Sequence, residues 1–413
     1  MKILVIGKGG REHALALACS KSKLCTQLYM APGNPGMAKI GICVNVSDSD
    51  VDGLVAFAKE KEIDLTIVGP EATLSLGVVD AFQKEGLKIF GPTKAATQVE
   101  SSKDFAKKIM AKYNIPTAAY ETFDDYEKAV AYVKEKGAPI VIKEDGLKAG
   151  KGVTVAYTLD QALEALKIAF EIPGNKVVVE ECLVGFEFSL ICLVHNDVVV
   201  PLQIAQDHKC VGDGDTGPNT GGMGSYSPVK KITPEIIEHT MNTVMIPMAK
   251  AMMQEDVSFT GFLYGGLMLT KDGVKVIEFN ARFGDPEAEV ILPRLESDFV
   301  QAILDVMDGK KVELKWTDKV SHGVVLASTN YPASSTKGAI IENLDAVDAL
   351  VYHMGTKEVD GHLVTDGGRV LMITTLEDTL EKAYEHTYKE VEKIQCSDLF
   401  YRHDIGKKDM EHE

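Results

Sequence analysis

The sequence predicts a multidomain protein of mixed α/β and α+β class, led by a Rossmann-like parallel sheet. Short apolar runs, Ile3–Ile6, Leu28–Met30, Leu65–Val68 and Leu87–Phe90, each end at glycine or proline and alternate with helical patterns. Buried parallel strands have this texture, and the glycine loops at their ends are where open α/β sheets receive ligands. A second stretch sets strands around longer glycine-rich loops, and a third ends in strands followed by a helix. At roughly 150 residues per domain, 413 residues make two to four domains. We place the divisions at 1–100, 101–312 and 313–413.

Composition removes several function classes. Hydrophobic residues make up 45% and charged residues 25%, as in ordinary globular chains. Lys and Arg number 44 against 61 Asp and Glu, and the net charge of −17 disfavours nucleic acid and anionic lipid as partners. Apolar runs fall far short of the roughly 18 residues that span a bilayer. Met1–Lys8 reads as a first strand entering glycines, not as a secretion signal. Seven cysteines without a CxxC pair suit reduced thiols, so a cytoplasmic location is expected.

Taken in order, Gly7-Lys8-Gly9-Gly10-Arg11-Glu12 departs from GxGxxG because Glu12 replaces the third glycine. It suits a small phosphate better than a dinucleotide. Ser101 is expected to cap a helix with Asp104 at its third position, placing Lys103 in the first turn. A cation there is mildly unfavourable unless an anion lies nearby. Strands are expected at Ile140–Lys143, Val153–Ala156, Val177–Glu181, Phe188–Leu193, Leu267–Thr270 and Val274–Phe279, the last two around a Lys271-Asp272-Gly273 turn. Further strands are Val324–Ser328 and Val370–Thr374, and Leu376 to Val391 keeps helical spacing.

Five constellations bear on chemistry. Alternation on a strand sends Glu278, Asn280 and Arg282 to one face. The first two offer hard oxygens to a cation such as Mg²⁺, or simply form a polar outer face. Asp285 and Pro286 read as N-cap and first residue of a helix, whose N-terminus beside Arg282 could also receive an anion. Lys143 leads into a glycine loop, Gly146 to Gly152, that suits a phosphate cradle but is no Walker loop. Glu181 to Glu187 is a strand exit that could read an adenine edge, or an ordinary connection. Gln206 to Gly224 is a long glycine-rich loop, expected to be functional, with His208 more a structural hydrogen-bonder than a base.

Together these motifs resemble the glycinamide ribonucleotide synthetase (phosphoribosylamine–glycine ligase) family of the ATP-grasp superfamily. The resemblance runs nearly end to end. It includes Gly9–Ala14, Pro32-Gly33-Asn34, Val68–Glu71, Gln206–Lys209 and Tyr401–Gly406; Gly217–Gly224 and Glu278–Glu287 are its most specific parts. It implies an ATP-grasp fold and an ADP-forming ligation of glycine to 5-phosphoribosylamine through a glycyl phosphate, the second step of de novo purine synthesis. Carried over by position, Lys103, Lys143, Gly150, Lys151 and Gly152 would hold ATP phosphates. Glu181 and Leu183 would meet adenine through their backbones, and Glu187 the ribose. Glu278 and Asn280 would bind Mg²⁺ or Mn²⁺. Gly10, Arg11, Asn34 and Glu71 would line the phosphoribosylamine pocket, and Asp213, Arg282 and Asp285 would lie near glycine and the transferring phosphate. A stand-alone monomer or small homo-oligomer is expected, without nucleic-acid or membrane partners.

Some positions depart from the family pattern. Cys210 stands where a basic residue is common, Lys8 occupies a usually small-residue turn, and Tyr264–Leu269 lacks the acid that often completes the metal site. Rival readings are an ATP-grasp ligase of other substrates, a dinucleotide-dependent oxidoreductase and a silent nucleotide sensor.

Overall fold

The computed structural model describes residues 1–148 and 152–410. Strands β1 (Lys2–Gly7), β2 (Gln27–Pro32), β3 (Ile42–Cys43), β4 (Leu65–Val68) and β5 (Ile89–Phe90) form a parallel sheet in the order β3-β2-β1-β4-β5. Helix α1 (Gly10–Ser20) follows β1. The order reverses between β1 and β4, so the ligand crevice opens beyond Gly7 and Val68. Glu12 of α1 fills its floor: a Cβ on Gly7 would lie 2.4 Å from Glu12 Cγ, and one on Gly69 only 2.1 Å from Glu12 Oε1. That carboxylate caps its own helix, accepting from Gly9 N at 2.7 Å. A charged side chain thus sits where a dinucleotide fold keeps its third glycine.

The middle of the chain builds two antiparallel sheets. β6 (Tyr120–Phe123), β7 (Ile140–Glu144), β8 (Val153–Ala156) and β9 (Val177–Glu181) pair as β6-β9-β7-β8. Helices Tyr126–Lys136 and Leu159–Phe170 cover one face, packing Ala129, Val133 and Leu166 against Val179 of β9 and giving this unit a core of its own. β10 (Phe186–His195), β11 (Val198–Pro201), β16 (Thr260–Thr270) and β17 (Gly273–Asn280) pair as β11-β10-β16-β17. β16 begins earlier than its apolar run suggests, because Gly265 and Gly266 remain paired inside it. A bulge opposite Gly266 and Leu267 leaves Ile277 without a partner on β16.

The stretch from Gln206 is more ordered than its glycines suggest. It contains β12 (Gln206–Asp207), a hairpin of β13 (Cys210–Gly212) and β14 (Thr216–Asn219), and β15 (Gly224–Ser227). β12 and β15 then join the last large sheet, with β18 (Val320–Ser328), β22 (Arg369–Glu377) and β19 (Leu350–His353), while β23 (Leu399–Phe400) pairs with β18. A second hairpin, β20 (Thr356–Val359) with β21 (His362–Thr365), follows β19.

Three local expectations are corrected. The helix Lys103–Lys112 is capped by Ser102, whose side chain accepts from Phe105 N, whereas Ser101 ends the preceding short helix. Asp285 caps nothing: the chain turns through 285–287, the helix Ala288–Ile291 starts from Glu287, and the Asp285 carboxylate is drawn to Arg369 at 2.9 Å. Leu376 lies in β22, and the final long helix is Leu380–Val391, capped by Thr379.

One large core joins these parts. It runs from Ile3, Val5 and Leu65 of the first sheet through Phe262, Phe283 and Phe299 to Val325 and Met372 of the last. Contiguous burial of this kind fixes the three layers as one frame. Among the described residues, no helix is long and apolar enough to cross a membrane.

Candidate active site

The crevice beyond β1 and β4 is walled by alternating charges. Arg11 contacts Glu12 (Nε to Oε1, 2.6 Å) and Glu71 (Nη1 to Oε2, 3.7 Å). Arg282 continues the chain, with Nε 3.5 Å from Glu71 Oε2 and Nη2 3.3 Å from Glu100 Oε1. Ala281 N donates to Glu100 Oε2 at 2.7 Å, locking the strand exit to the short helix Gln98–Ser101. Burial would raise the Glu71 carboxyl, but Arg282 and Arg11 outweigh it and hold it down at about 2. Burial prevails at Glu100 and pushes its carboxyl up. Asn34 is fully engaged in the fold: Nδ2 donates to Lys8 O (2.8 Å) and His353 O (2.9 Å), and Oδ1 accepts from Met37 N (2.9 Å).

A second wall is shared between the helix Lys103–Lys112 and the small sheet that carries Lys143 and Glu180. Lys107 Nζ and Lys143 Nζ lie 3.1 and 3.0 Å from the same oxygen of Glu180. Lys143 also donates to Ile277 O at 2.8 Å, the carbonyl that the β17 bulge turns outward. Burial lowers Lys107 to about 8 despite Glu180. Glu180 Oε1 has no partner among the described residues. Lys103 Nζ donates to Gly146 O at 3.0 Å. The anion wanted at its helix start is Asp145, whose Oδ1 accepts from Lys103 N (2.6 Å) and Asp104 N (3.3 Å). Gly152 closes the glycine loop, its carbonyl accepting from Glu144 N at 2.8 Å. Gly150 and Lys151, expected over the phosphates, lie outside the described residues.

Glu278 stands where the walls meet. Burial opposes its charge, yet Lys209, Lys143, Lys103 and Arg282 together keep its carboxyl below the usual range. Asn280 turns its amide nitrogen toward Glu100 Oε1 (3.3 Å) and Phe279 O (3.2 Å), so its carbonyl oxygen points to the other side. No group of three or more His, Cys, Asp or Glu side chains among the described residues could hold a metal unaided. A carboxylate and one amide oxygen fit an ion that arrives sharing phosphate oxygens, the habit of Mg²⁺.

The remaining expected residues divide. Glu187 pairs with Lys209. Glu181 is half exposed, its N–H donating to Ala119 O at 2.8 Å, while the Leu183 N–H beyond it has no partner among the described residues. Gly185 comes so close to Leu269 O that a Cβ would sit 2.2 Å away. Asp213 is not brought to the cluster. It accepts from His403 N (2.8 Å) and His403 Nδ1 (3.0 Å). Buried Arg402 binds the same hairpin, donating to Cys210 O (3.0 Å) and Asp215 Oδ1 (2.9 Å). His208 Nε2 accepts from Gly406 N at 3.1 Å; burial and then Arg402 lower it to about 4, so it is a neutral hydrogen-bonder of the fold.

Comparison with known proteins decides the family. Residues 1–100 match the phosphoribosylglycinamide synthetase N domain, 101–288 its ATP-grasp (A) domain and 321–408 its C domain. The chain belongs to the phosphoribosylglycinamide synthetase family. A phosphoribosylamine–glycine ligase of Halalkalibacterium halodurans is 51% identical over 415 residues, covering 99% of this chain and 97% of that one. The crystal structure of a phosphoribosylamine–glycine ligase from Thermotoga maritima superposes with a TM-score of 0.86 at 32% identity, covering 98% of this chain and 100% of that one. The biotin carboxylase domain of a Hydrogenobacter thermophilus 2-oxoglutarate carboxylase, solved with MgADP, ADP and bicarbonate, shares the fold at 16% identity (TM-score 0.74, covering 97% of this chain and 91% of that one).

Several residues of this synthetase-family site escaped the sequence reading. Glu100, Lys107 and Arg369 belong to none of the short patterns that marked the rest, and Lys209 stood within Gln206–Lys209 without a role. Glu180 carried a usable signal. Successive glutamates on β9 must face opposite ways, so one of Glu180 and Glu181 had to point inward.

Proposed function

We propose that this site joins 5-phosphoribosylamine to glycine while converting ATP to ADP and phosphate, giving glycinamide ribonucleotide in the second step of de novo purine synthesis. The observation that carries this reading is the seam at Glu278, where a lysine-rich wall meets a wall of paired charges. Phosphoryl transfer needs positioning and charge neutralisation more than covalent help.

The glycine carboxylate attacks the γ-phosphorus, the β–γ bridge breaks and ADP leaves. The amine nitrogen then attacks the carbonyl carbon of glycyl phosphate, the C–O bond to phosphate breaks, and the nitrogen loses its proton. Lys103, Lys143 and the Gly150–Gly152 segment with Lys151 cradle the polyphosphate. The Glu181 and Leu183 backbones meet adenine, with Glu187 at the ribose. Glu278 and Asn280 hold a divalent ion, Mg²⁺ or Mn²⁺, which when bound neutralises phosphate charge. Gly10, Arg11 and Glu71 line the phosphoribosylamine pocket, with Asn34 fixing its rim. Arg282 and Asp285 face glycine and the transferring phosphate, and Asp213 anchors the β13–β14 hairpin. The enzyme works in the cytoplasm as a monomer or small homo-oligomer.

ADP release is the test, with phosphoribosylamine generated in the cuvette and each substrate omitted in turn. Release that requires both amine and glycine is expected. Release indifferent to glycine would overturn the assignment.

A further inference from the structure

Arg369 opens β22 in the last large sheet and has no part in the reaction as proposed above. Its Nη1 nonetheless gathers oxygens from two separate turns. It donates to Gly221 O at 2.7 Å and to Asp285 O at 3.0 Å, and lies 2.9 Å from Asp285 Oδ1. Oxygens crowded about one point repel one another, and a permanently charged guanidinium among them holds them together. Tyr331, just past β18, takes the amide of the same glycine: its Oη accepts from Gly221 N at 2.9 Å. The two turns also touch directly. Gly222, at φ +113°, comes so near that a Cβ on it would lie 2.4 Å from Pro286 Cδ, and both residues are buried there. Ser225 Oγ adds a hydrogen bond to Pro286 O at 2.7 Å. A side chain on Gly221 would meet the guanidinium, its Cβ 3.0 Å from Arg369 Cζ. Bare backbone at both glycines is what lets the turns close on Arg369.

We propose that Arg369 is a positioning residue and Tyr331 its second tie: together they clamp the Gly221–Gly222 turn to the Asp285–Pro286 turn, closing the glycine side of the site against water. The inference rests on the reading above that Asp285 faces glycine and the transferring phosphate. The clamp stands apart from the lysines that would hold ATP, since each of its contacts is made to backbone or to Asp285. Its chemical consequence concerns the intermediate. With the turns apart, water attacks the carbonyl carbon of glycyl phosphate and loses its proton to solvent, and the C–O bond to phosphate breaks. Glycine and phosphate return, and ATP has become ADP without product. The clamp is therefore read in the amount of product formed per ADP, which a role in stability alone does not move.

Three substitutions test it, with ADP and glycinamide ribonucleotide measured side by side at saturating substrates. Arg369→Met keeps the apolar stem and removes the guanidinium. It is expected to lower product formation about tenfold or more, the scale of a lost hydrogen bond from a charged group. ADP release falls less, so product per ADP drops to about half or below, while the KM for ATP stays within about twofold. Arg369→Lys keeps a charged donor and recovers part of both losses. Tyr331→Phe leaves every charge in place and lowers product formation about threefold, with product per ADP falling in the same direction. A Met variant that still forms product and ADP in equal amounts overturns the clamp, whatever its rate, and so does a Lys variant no better than Met. Should Met fail to fold, Tyr331→Phe decides on the same ratio: equal amounts overturn the clamp, and a shortfall of product supports it. Wild-type dependence on both substrates is read in the same assay. Its failure removes the substrate assignment and this inference together, whereas a fully coupled Met variant removes only the inference.

Discussion

The two walls of the site handle charge in opposite ways. Around the β1–β4 crevice, Arg11 and Arg282 are interleaved with Glu12, Glu71 and Glu100, so each cation already has carboxylate partners. Between the helix Lys103–Lys112 and the small sheet, Lys107 and Lys143 share a single oxygen of Glu180, and Lys103 turns to a carbonyl. The first wall is complete without ligand and belongs to the large common core. The second holds surplus positive charge where the helix Lys103–Lys112, packed in the core around Phe188, Val244 and Phe279, meets the small sheet with its separate core. Surplus buried cations are costly to fold and useful only if an anion completes them. On the proposed reading, the contrast suits the lysine wall to polyphosphate and the paired wall to a rigid rim for phosphoribosylamine and glycine.

The sharpest way to break this contrast is Arg282→Met. It strands Glu100 in the interior, leaves Glu71 with Arg11 alone and should cost about 3–5 kcal/mol in chemical denaturation; an unchanged midpoint would mean the paired wall is not structural. Next, Glu278→Ala at the seam should lower turnover at least roughly 10²-fold with the fold intact, and activity restored by excess divalent ion would place Glu278 elsewhere. On the other wall, Lys107→Met leaves Glu180 still paired with Lys143. Stability should therefore move little while the KM for ATP rises about tenfold, the worth of one charge-assisted contact; the reverse pattern would erase the distinction.

The smallest expected effect per group comes from pH. Burial holds His13 at about 3 and His208, His322 and His353 at about 4. The unfolded chain protonates these rings near 6.5, whereas the folded protein does not. Stability they leave intact above pH 6.5 is lost as pH falls toward 4, at about 1 kcal/mol per group per unit. Melting temperatures at pH 7.5 and 5.5 check this, and equal values would show that the rings charge without unfolding. Glu71, held at about 2, would contribute only below that window.

Most strands were legible because apolar runs bounded by glycine or proline leave few alternatives; Leu65–Val68, Val153–Ala156 and Val177–Glu181 fall where expected. The misreadings share a cause. Asp285 before Pro286 has every local feature of a helix start, but Arg369, far along the chain, attracts its carboxylate more strongly. The glycines of 212–224 suggest an open loop because their strand pairing is made with Cys210 and with β18, neither visible locally. Lys103 and Glu278 stood out through their patterns, while Glu100, Lys107 and Arg369 gain meaning only from partners that folding brings to them.

The hairpin latched by Arg402 carries a consequence for biosynthesis. Asp215 and its anchoring guanidinium are 187 residues apart. On a chain made from its N-terminus, β13 and β14 leave the ribosome long before Arg402 and His403 exist to hold them. The glycine loop beside Lys209 therefore settles late, after the parallel sheet and the lysine wall can already form from earlier residues. A nascent chain thus carries the residues of its lysine wall well before the hairpin beside Lys209 acquires its latch.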